Sequence, residues 1–347
     1  MKKHLNNFDA LRLLGAFLVL VNHSMELSGD KGFGFGGMSV STAGVKIFFS
    51  ISGYLIANSW MTDPNVARFL FRRARRIVPA LMAVVLLSIF VLGPFFTSLP
   101  FDAYASNPLT KRYFGNLFFY VSYALPMVFD QNLHPNAVNG SLWTLPAEVG
   151  MYFLTPALVF VALRHYALMI LLFLVSVGLG MVFFLHNPSP FVVAGTELWI
   201  DVTLAPYFVA GAAIASLRLE RFLDWRLGIV GIILGHLAVP YTWPWSEAIY
   251  CFVLPYATVA IGIRSWPVAR SVGRWGDFSY GIYLWSFPFQ QSVVALHGAT
   301  GNGWANVALA LPPTLLMAVL SFHLIEKRAM AWRLGGRPAA VPVVANI

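Results

Sequence analysis

The chain has few charged residues and almost no cysteine. Only 11% of its 347 residues are Asp, Glu, Lys or Arg, whereas soluble domains carry about 25%. A single cysteine, Cys251, excludes an intramolecular disulfide, and no repeat of 20 to 50 residues indicates a solenoid. Apolar sequence dominates instead, with 58% hydrophobic residues and a mean hydropathy of +0.70. This composition predicts an integral membrane protein and argues against a soluble one.

Apolar stretches long enough to cross a bilayer, which takes roughly 20 residues each, recur along the whole chain. A further stretch, 114–129, is apolar but short, and it contains Asn116 and Pro126. We therefore predict an all-α polytopic protein with about ten transmembrane helices in one bundle and a re-entrant or surface helix around 114–129. The predicted spans are 9–28, 40–60, 74–98, 142–163, 166–186, 199–217, 227–243, 246–263, 278–297 and 304–326.

The distribution of Lys and Arg predicts the orientation of these spans. If 114–129 does not cross, eighteen of the 23 basic residues fall in loops on the side of the N-terminus, against Lys31, Lys111 and Arg112 on the other side. Making that stretch a span would put most of them outside, against the positive-inside rule. We therefore expect both termini in the cytoplasm, a transmembrane domain over 1–330 and a short cytoplasmic tail over 331–347. The net charge of +9 then forms a basic cytoplasmic rim, and no nucleic-acid partner is needed to explain it.

The first span, FDALRLLGAFLVLVNHSMEL, contains an arginine and a histidine. Arg12 and His23 are eleven residues apart, which is about 20° beyond three full helical turns, so they share a helix face about 16 Å apart. An arginine this near a span end can simply anchor the helix at the interface. A histidine well inside an apolar run needs a polar partner and is typical of a functional site.

A carboxylate and an arginine cluster add to this candidate site. Glu148 lies about seven residues into a span that enters from the outer face, at the depth predicted for His23, so we expect it to orient the imidazole of a catalytic base. Arg72, Arg73 and Arg76 precede the third span, and guanidinium groups suit phosphate. On its own, this cluster is explained more simply as a topology signal. The histidines show no metal-ligand spacing, and we expect no metal.

Five motifs follow one another along the chain: FDALRLLGAFLVLVNHS, IFFSISGYLIA, RRARRIVPA, GSLWTLPAEVGMYF and GDFSYGIYLWSFP. Together they resemble the acyltransferase-3 family of bacterial membrane O-acyltransferases, which includes O-antigen and exopolysaccharide acetylases. The resemblance runs from about Asn7 to Glu326. It implies an enzyme that moves an acyl group, most commonly acetyl, from acyl-CoA to a hydroxyl. The chain departs from the family at Lys46, where many members carry Asp, and at Ser286, where many carry His.

The resemblance also implies roles for individual residues. The family's Arg-x10-His signature falls on Arg12 and His23, with the histidine essential for catalysis. Its Arg-x-x-Arg pattern falls on Arg73 and Arg76, which makes them and the neighbouring Arg72 candidates for binding the acyl-CoA donor. Candidates for contacting the acceptor are Ser141, Trp143, Tyr280 and His134, the last on the outer segment.

The resulting prediction is a multi-pass enzyme of the bacterial cytoplasmic (inner) membrane. Acetyl-CoA enters from the cytoplasm, and a hydroxyl of an extracytoplasmic glycan or glycolipid, such as a polysaccharide or lipopolysaccharide, reaches His23 from outside. His23 acts as catalytic base or as transient acyl carrier. One alternative is a secondary transporter with His23 and Glu148 as a proton relay; another is a structural subunit of a polysaccharide export complex. The sequence indicates neither the acceptor nor the oligomeric state.

Overall fold

The computed structural model describes residues 6–186, 191–274 and 276–332, so most of the expected tail, 333–347, lies outside the described residues. Within these ranges the chain is mostly helical, with ten helices of at least 17 residues. They are α1 (Phe8–Leu27), α2 (Val40–Thr62), α3 (Val66–Leu87), α4 (Thr144–Arg164), α5 (Tyr166–His186), α6 (Leu198–Ser216), α7 (Trp225–Thr242), α8 (Ser246–Gly262), α9 (Ser279–His297) and α10 (Gly303–Ser321).

Short elements connect or extend these helices. The π-helical turns Ser88–Leu92 and Phe322–Glu326 continue α3 and α10. The 3-10 turns are Phe114–Phe118, Gly140–Trp143 and Leu219–Phe222. Short α-helices are Gly93–Phe96, Phe101–Ser106, Pro108–Tyr113, Pro267–Val272 and Lys327–Ala331. Two antiparallel hairpins pair Gly34–Phe35 with Met38–Ser39 and Val192–Val193 with Thr196–Glu197.

Each of the ten predicted spans overlaps one of the ten long helices. The third span, predicted over 74–98, begins within α3 and extends through the short helical turns that continue α3. Among the described residues, seven helical segments are long and apolar enough to cross a membrane, and they contain α1 to α5, α7 and α10. The other three helices, α6, α8 and α9, pack with them in the same bundle. The all-α, polytopic membrane architecture is therefore confirmed.

Loops that the charge distribution assigns to one face meet at one end of the bundle. At the end with the basic loops, Asn7 N donates a hydrogen bond to Gly262 O at 2.9 Å. At the opposite end, Gly36 N donates to His236 Nδ1 at 3.0 Å. These two contacts agree with the predicted directions of α1, α7 and α8.

The helix predicted around 114–129 forms only over Phe114–Phe118, as a 3-10 turn. Asn116 ends it, because its side chain binds the backbone of Ser122 through Nδ2 to O at 2.9 Å and through Oδ1 from N at 3.1 Å. The next turn is further excluded by Phe119, whose φ of 60° is left-handed. Most of this segment is therefore irregular chain.

Residues 132–144 take a re-entrant path down the side of α9. Near the end of α9, Asn132 Nδ2 donates to Gln291 Oε1 at 2.7 Å. Eight residues earlier on α9, Tyr283 Oη donates to Ser141 O at 2.8 Å, and eight residues of helix span about 12 Å. Helix α4 therefore begins inside the bundle, and Glu148 lies deeper than the sequence predicted.

A buried ion pair fixes α2 against α6 and α8. Lys46 Nζ lies 2.5 Å from Glu247 Oε1, and Tyr207 Oη donates to the same oxygen at 3.0 Å. All three side chains are buried. Close approach of α2 and α6 needs Gly53, because a Cβ there would clash with Phe208 O. This packing fixes the rotation of α2, whose other face lines the candidate site.

Candidate active site

A cavity lies among α1, α2, α3, α4 and α9, with a volume of about 770 Å³ that includes the part open to solvent. The edge of this cavity that lies nearest the basic loops is formed by α3 and the start of α9. Five of the predicted site residues line it and are thus brought together from four helices: Arg12, Arg73, Arg76, Glu148 and Tyr280.

Asp277, to which the sequence analysis gave no role, holds two of these arginines. Its Oδ2 lies 3.2 Å from Arg12 Nη1 and 2.7 Å from Arg76 Nη2, and its Oδ1 accepts from Ser279 N at 3.2 Å. Burial opposes ionisation of Asp277, but the charges of Arg12 and Arg76 outweigh it and hold the pKa of this carboxyl below its ordinary value. Its place directly before a span, in GDFSYGIYLW, is the sequence signal that could have identified it.

Arg73 differs from the two arginines that share Asp277. Its Nε is buried without a hydrogen-bond partner in the described part of the chain, and none of the salt bridges found there includes it. A buried nitrogen that lacks a hydrogen-bond partner is costly. An anion such as a phosphate group would complete its hydrogen bonding.

Arg72 takes no part in the cavity. Its Nη1 lies 2.5 Å from Asp63 Oδ2, and its Nη2 donates to Ser59 O at 3.3 Å. Arg68 binds the same carboxylate at 2.6 Å. One residue along a helix is a rotation of about 100°, so Arg72 faces away while Arg73 faces the cavity. The assignment of Arg72 to donor binding is not supported by its position.

Glu148 lies in the cavity and has no hydrogen bond to His23 among the described residues. Its Oε1 accepts hydrogen bonds from Tyr152 Oη and, at 3.5 Å, from Ser52 Oγ. Because α4 begins inside the bundle, Glu148 is level with the arginines of α1 and α3. The contact expected to orient the imidazole is not formed.

His23 lies farther along α1, beyond the cavity-lining residues. Its ring packs edge-to-face on Phe287 of α9, with 5.2 Å between ring centroids. The side chain is half-buried, and its Nδ1 is buried with no hydrogen-bond partner in the part of the chain that the structure describes. Since α1 runs unbroken over Phe8–Leu27, Arg12 and His23 share a face about 16 Å apart, as predicted.

Two aromatic rings stand between the arginines and His23. Phe48 of α2 and Tyr283 of α9 meet edge-to-face with 5.9 Å between centroids, and both line the cavity. Phe48 packs on α1 at Gly15, where a Cβ would lie 3.2 Å from the ring. Along α1 the order is therefore Arg12, then the Phe48 contact, then His23.

Ser141 and Trp143 lie in the 3-10 turn Gly140–Trp143, which directly precedes α4. Ser141 is buried, and its Oγ has no hydrogen-bond partner among the residues described. Trp143 is half-buried and packs against the main hydrophobic core. Both therefore lie at the inner end of the re-entrant segment 132–144.

Tyr280 and His134 lie at opposite ends of the candidate site. Tyr280 lines the arginine cavity and donates from Oη to Ile77 O at 3.2 Å. His134 is exposed at the other end, where its Nε2 lies 3.3 Å from Glu26 O, three residues beyond His23 on α1. The residues predicted to contact the acceptor are thus not all in one cluster. Within the described ranges, no group of three or more His, Cys, Asp and Glu residues could hold a metal ion.

The chain is similar to one known protein family and to several individual proteins. Residues 5–323 match a family model described as an acyltransferase domain. An O-acetyl transferase of Shigella phage Sf6 is 31% identical over 93% of this chain and 95% of its own length. Nodulation protein 10 of Rhizobium leguminosarum bv. viciae is 28% identical over 95% and 94%, and the peptidoglycan O-acetyltransferase OatA of Listeria monocytogenes is 27% identical over 94% and 56%. No solved structure matches the chain significantly.

The salt bridges of Asp277 with Arg12 and Arg76 predict that Asp277→Asn loses stability in a pH-dependent way. A carboxyl whose pKa is lowered on folding stabilises fully above its unfolded pKa, near 3.8, and this contribution is lost as the pH falls through the lower folded value. We expect Asp277→Asn to lower the Tm by about 5 °C or more at pH 7, with the difference shrinking below about pH 4. Thermal unfolding of detergent-solubilised protein measures this. Asp102→Asn, which changes an exposed carboxyl, is the control and should have no comparable effect. A Tm difference between Asp277→Asn and wild type that does not change with pH would contradict the stabilising role of these salt bridges.

Proposed function

The chain belongs to the acyltransferase-3 family of membrane O-acetyltransferases, and from this premise we propose that it transfers acetyl groups from cytoplasmic acetyl-CoA to a hydroxyl of an extracytoplasmic glycan or glycolipid. The observation that carries the proposal is the arrangement along α1. Arg12, near the start of α1, lines one cavity with Arg73 and Arg76 of α3, and the imidazole of His23 lies on the same face of α1 about 16 Å farther on. We further propose that the bilayer is the bacterial cytoplasmic membrane, with 1–330 as the transmembrane domain and 331–347 as a cytoplasmic tail.

The charge of the cavity supports a polyanionic donor. Three arginines, Arg12, Arg73 and Arg76, line the cavity, against one lining carboxylate, Glu148. Asp9 and Asp277 pair with Arg12, and Asp277 also pairs with Arg76, whereas Arg73 forms none of the salt bridges found among the described residues and is available to an anion. Coenzyme A carries a phosphate and a pyrophosphate at its nucleotide end, and guanidinium groups bind such oxygens in pairs. The cavity lies at the end of the bundle whose loops are basic, the end that the positive-inside rule assigns to the cytoplasm.

The spacing of arginine and imidazole also supports this donor. In coenzyme A a pantetheine arm separates the phosphates from the thioester, and its extended reach is comparable to the distance between Arg12 and His23. With its phosphates on the arginines, the donor would extend its arm along α1 and present the thioester to His23. Such positioning makes the reaction of thioester and hydroxyl effectively intramolecular.

His23 has two chemically complete routes to the product. As a base, it takes the proton of the acceptor hydroxyl while that oxygen attacks the thioester carbonyl carbon, the C–S bond breaks, and the thiolate recovers the proton from the imidazolium. As a carrier, its unprotonated nitrogen attacks the thioester carbonyl carbon, and the C–S bond breaks to give an acyl-imidazolium and a thiolate. The acceptor hydroxyl then attacks the acyl group, neutral imidazole leaves, and the proton of the hydroxyl neutralises the thiolate. Both routes start from a neutral imidazole, which has one ring nitrogen free to accept a proton or to attack a carbonyl carbon.

An oligosaccharide or polysaccharide acceptor is supported by the names of the relatives, which include a peptidoglycan O-acetyltransferase. We propose that Ser141, Trp143 and His134 contact the acceptor, because the segment 132–144 covers α9 and reaches Glu26, one turn beyond His23. A proton-coupled transporter is less well supported, because its two relay residues, His23 and Glu148, lie on opposite sides of Phe48 and Tyr283.

His23→Gln should abolish acetyl transfer in protein that still inserts into the membrane. A positioned acid-base group contributes about 10² to 10⁴ in rate, so we expect at least a hundredfold loss of kcat with little change in the KM for acetyl-CoA. Mass spectrometry of surface glycans from cells that express each variant, together with acetyl-CoA turnover by purified protein, measures this. His297→Gln changes an exposed histidine on α9 and is the control. Wild-type acetylation by His23→Gln would refute the catalytic role.

Arg73→Ala and Arg76→Ala should each raise the KM for acetyl-CoA by about tenfold or more, because a charge-assisted phosphate contact is worth about 1.5 to 3 kcal/mol. Arg72→Ala is the matched control, since Arg72 is adjacent in sequence but bound to Asp63, and its KM should stay within threefold of wild type. Steady-state kinetics and direct binding of coenzyme A measure these values. Equal effects at Arg72 and Arg73, or a change confined to the KM for the acceptor, would contradict the assignment.

A further inference from the structure

The route from the arginine cavity to His23 passes between α1 and α9, and contacts between these helices define its two ends. At one end Arg12 contacts Asp277, and at the other His23 contacts Phe287. The two intervals are eleven residues on α1 and ten residues at the start of α9, so the helices run side by side in register. Any group that moves from the arginines to His23 must pass the level of Tyr283, which lies between these ends.

At that level, Phe48 and Tyr283 line the cavity and meet edge-to-face, and His23, farther along α1, is not among the lining residues. Tyr283 is fixed, because its Oη donates to Ser141 O at 2.8 Å and lies 2.8 Å from Thr144 Oγ1. Phe48 has no hydrogen-bonding group in its side chain, is half-buried, packs against two hydrophobic clusters and lies on the bare backbone of Gly15. One ring of the pair is therefore tethered, while the other can change rotamer without losing a hydrogen bond.

A closed ring pair suits a bundle that takes a substrate from each side of a membrane. A continuous wet passage from the cytoplasm to His23 would admit water to the thioester and connect the two compartments. An apolar constriction prevents this by excluding water until something fills it. The filling group must be slender and largely uncharged, because the constriction offers two aromatic faces and no cation.

We propose that Phe48 and Tyr283 form an aromatic constriction that the acyl-pantetheine arm itself opens and fills: Phe48 turns aside, Tyr283 stays in place, and the two rings position the arm with its thioester at His23. This inference rests on the proposed acyl-CoA donor and adds two positioning residues to it. The phosphates stay at the arginines. The arginines therefore bind the donor, while Phe48 and Tyr283 position its arm and thioester.

Enlarging the movable ring tests the constriction. Phe48→Trp should lower kcat at least tenfold with acetyl-CoA and equally with S-acetylpantetheine, which lacks the nucleotide phosphates. The Kd for coenzyme A, measured by calorimetry, should stay within threefold of wild type, because the arginines are untouched. Phe173→Trp is the matched control: Phe173 and Phe252 form a similar edge-to-face pair, 5.0 Å apart, between α5 and α8, and this variant should behave as wild type.

Each outcome decides the proposal. A Phe48→Trp protein that binds coenzyme A normally and keeps kcat within twofold overturns it. If Phe48→Trp fails to bind coenzyme A, Phe48→Leu decides instead: a smaller side chain should raise hydrolysis of acetyl-CoA without acceptor at least fivefold, and unchanged hydrolysis overturns the constriction. Wild-type protein that neither binds coenzyme A nor consumes acetyl-CoA would instead overturn the proposed donor, and the constriction with it.

Discussion

The unbroken helix α1 is the constraint on which the rest of this site depends. It holds Arg12 and His23 on one face at a separation that a helix of L-residues fixes at about 16 Å. The other elements are arranged around it: Asp277 and Arg76 meet its first turns, Phe48 crosses it at Gly15, and Phe287 packs on its histidine. A kink in α1 between the arginine and the histidine would separate the charge from the imidazole and leave neither with a function.

Two sets of buried polar groups in this bundle differ in how they are paired. Lys46 and Glu247 neutralise each other in the core, and Tyr207 completes the pair, so this cluster is a structural brace. Arg73 and His23 are different, because each keeps a buried nitrogen without a hydrogen-bond partner in the described chain. Native proteins pair nearly all buried polar atoms. The unpaired nitrogens of Arg73 and His23 lie at the two ends of the proposed substrate route, where bound substrates would supply their hydrogen-bond partners.

Much of the fold could be predicted from the sequence, because membrane spans depend on local hydropathy and their orientation on loop charge. The ten helices and the pairing of loop ends follow from these two features. The shared face of Arg12 and His23 follows from helix geometry alone. The depth of Glu148 could not be predicted, because it depends on the re-entrant path of 132–144 along α9, which is set by side-chain contacts such as Asn132 with Gln291. The same limit applies to Arg72, because its salt bridge depends on the position of Asp63.

A structure of the protein in complex with coenzyme A would test the central claim most directly, since both ends of that molecule can be located. Electron cryomicroscopy should show the nucleotide phosphates at Arg73 and Arg76 and the sulfur beyond the ring of Phe48, facing His23. Phosphates bound away from these arginines, or a sulfur that stays on the arginine side of a closed Phe48 and Tyr283 pair, would contradict the account.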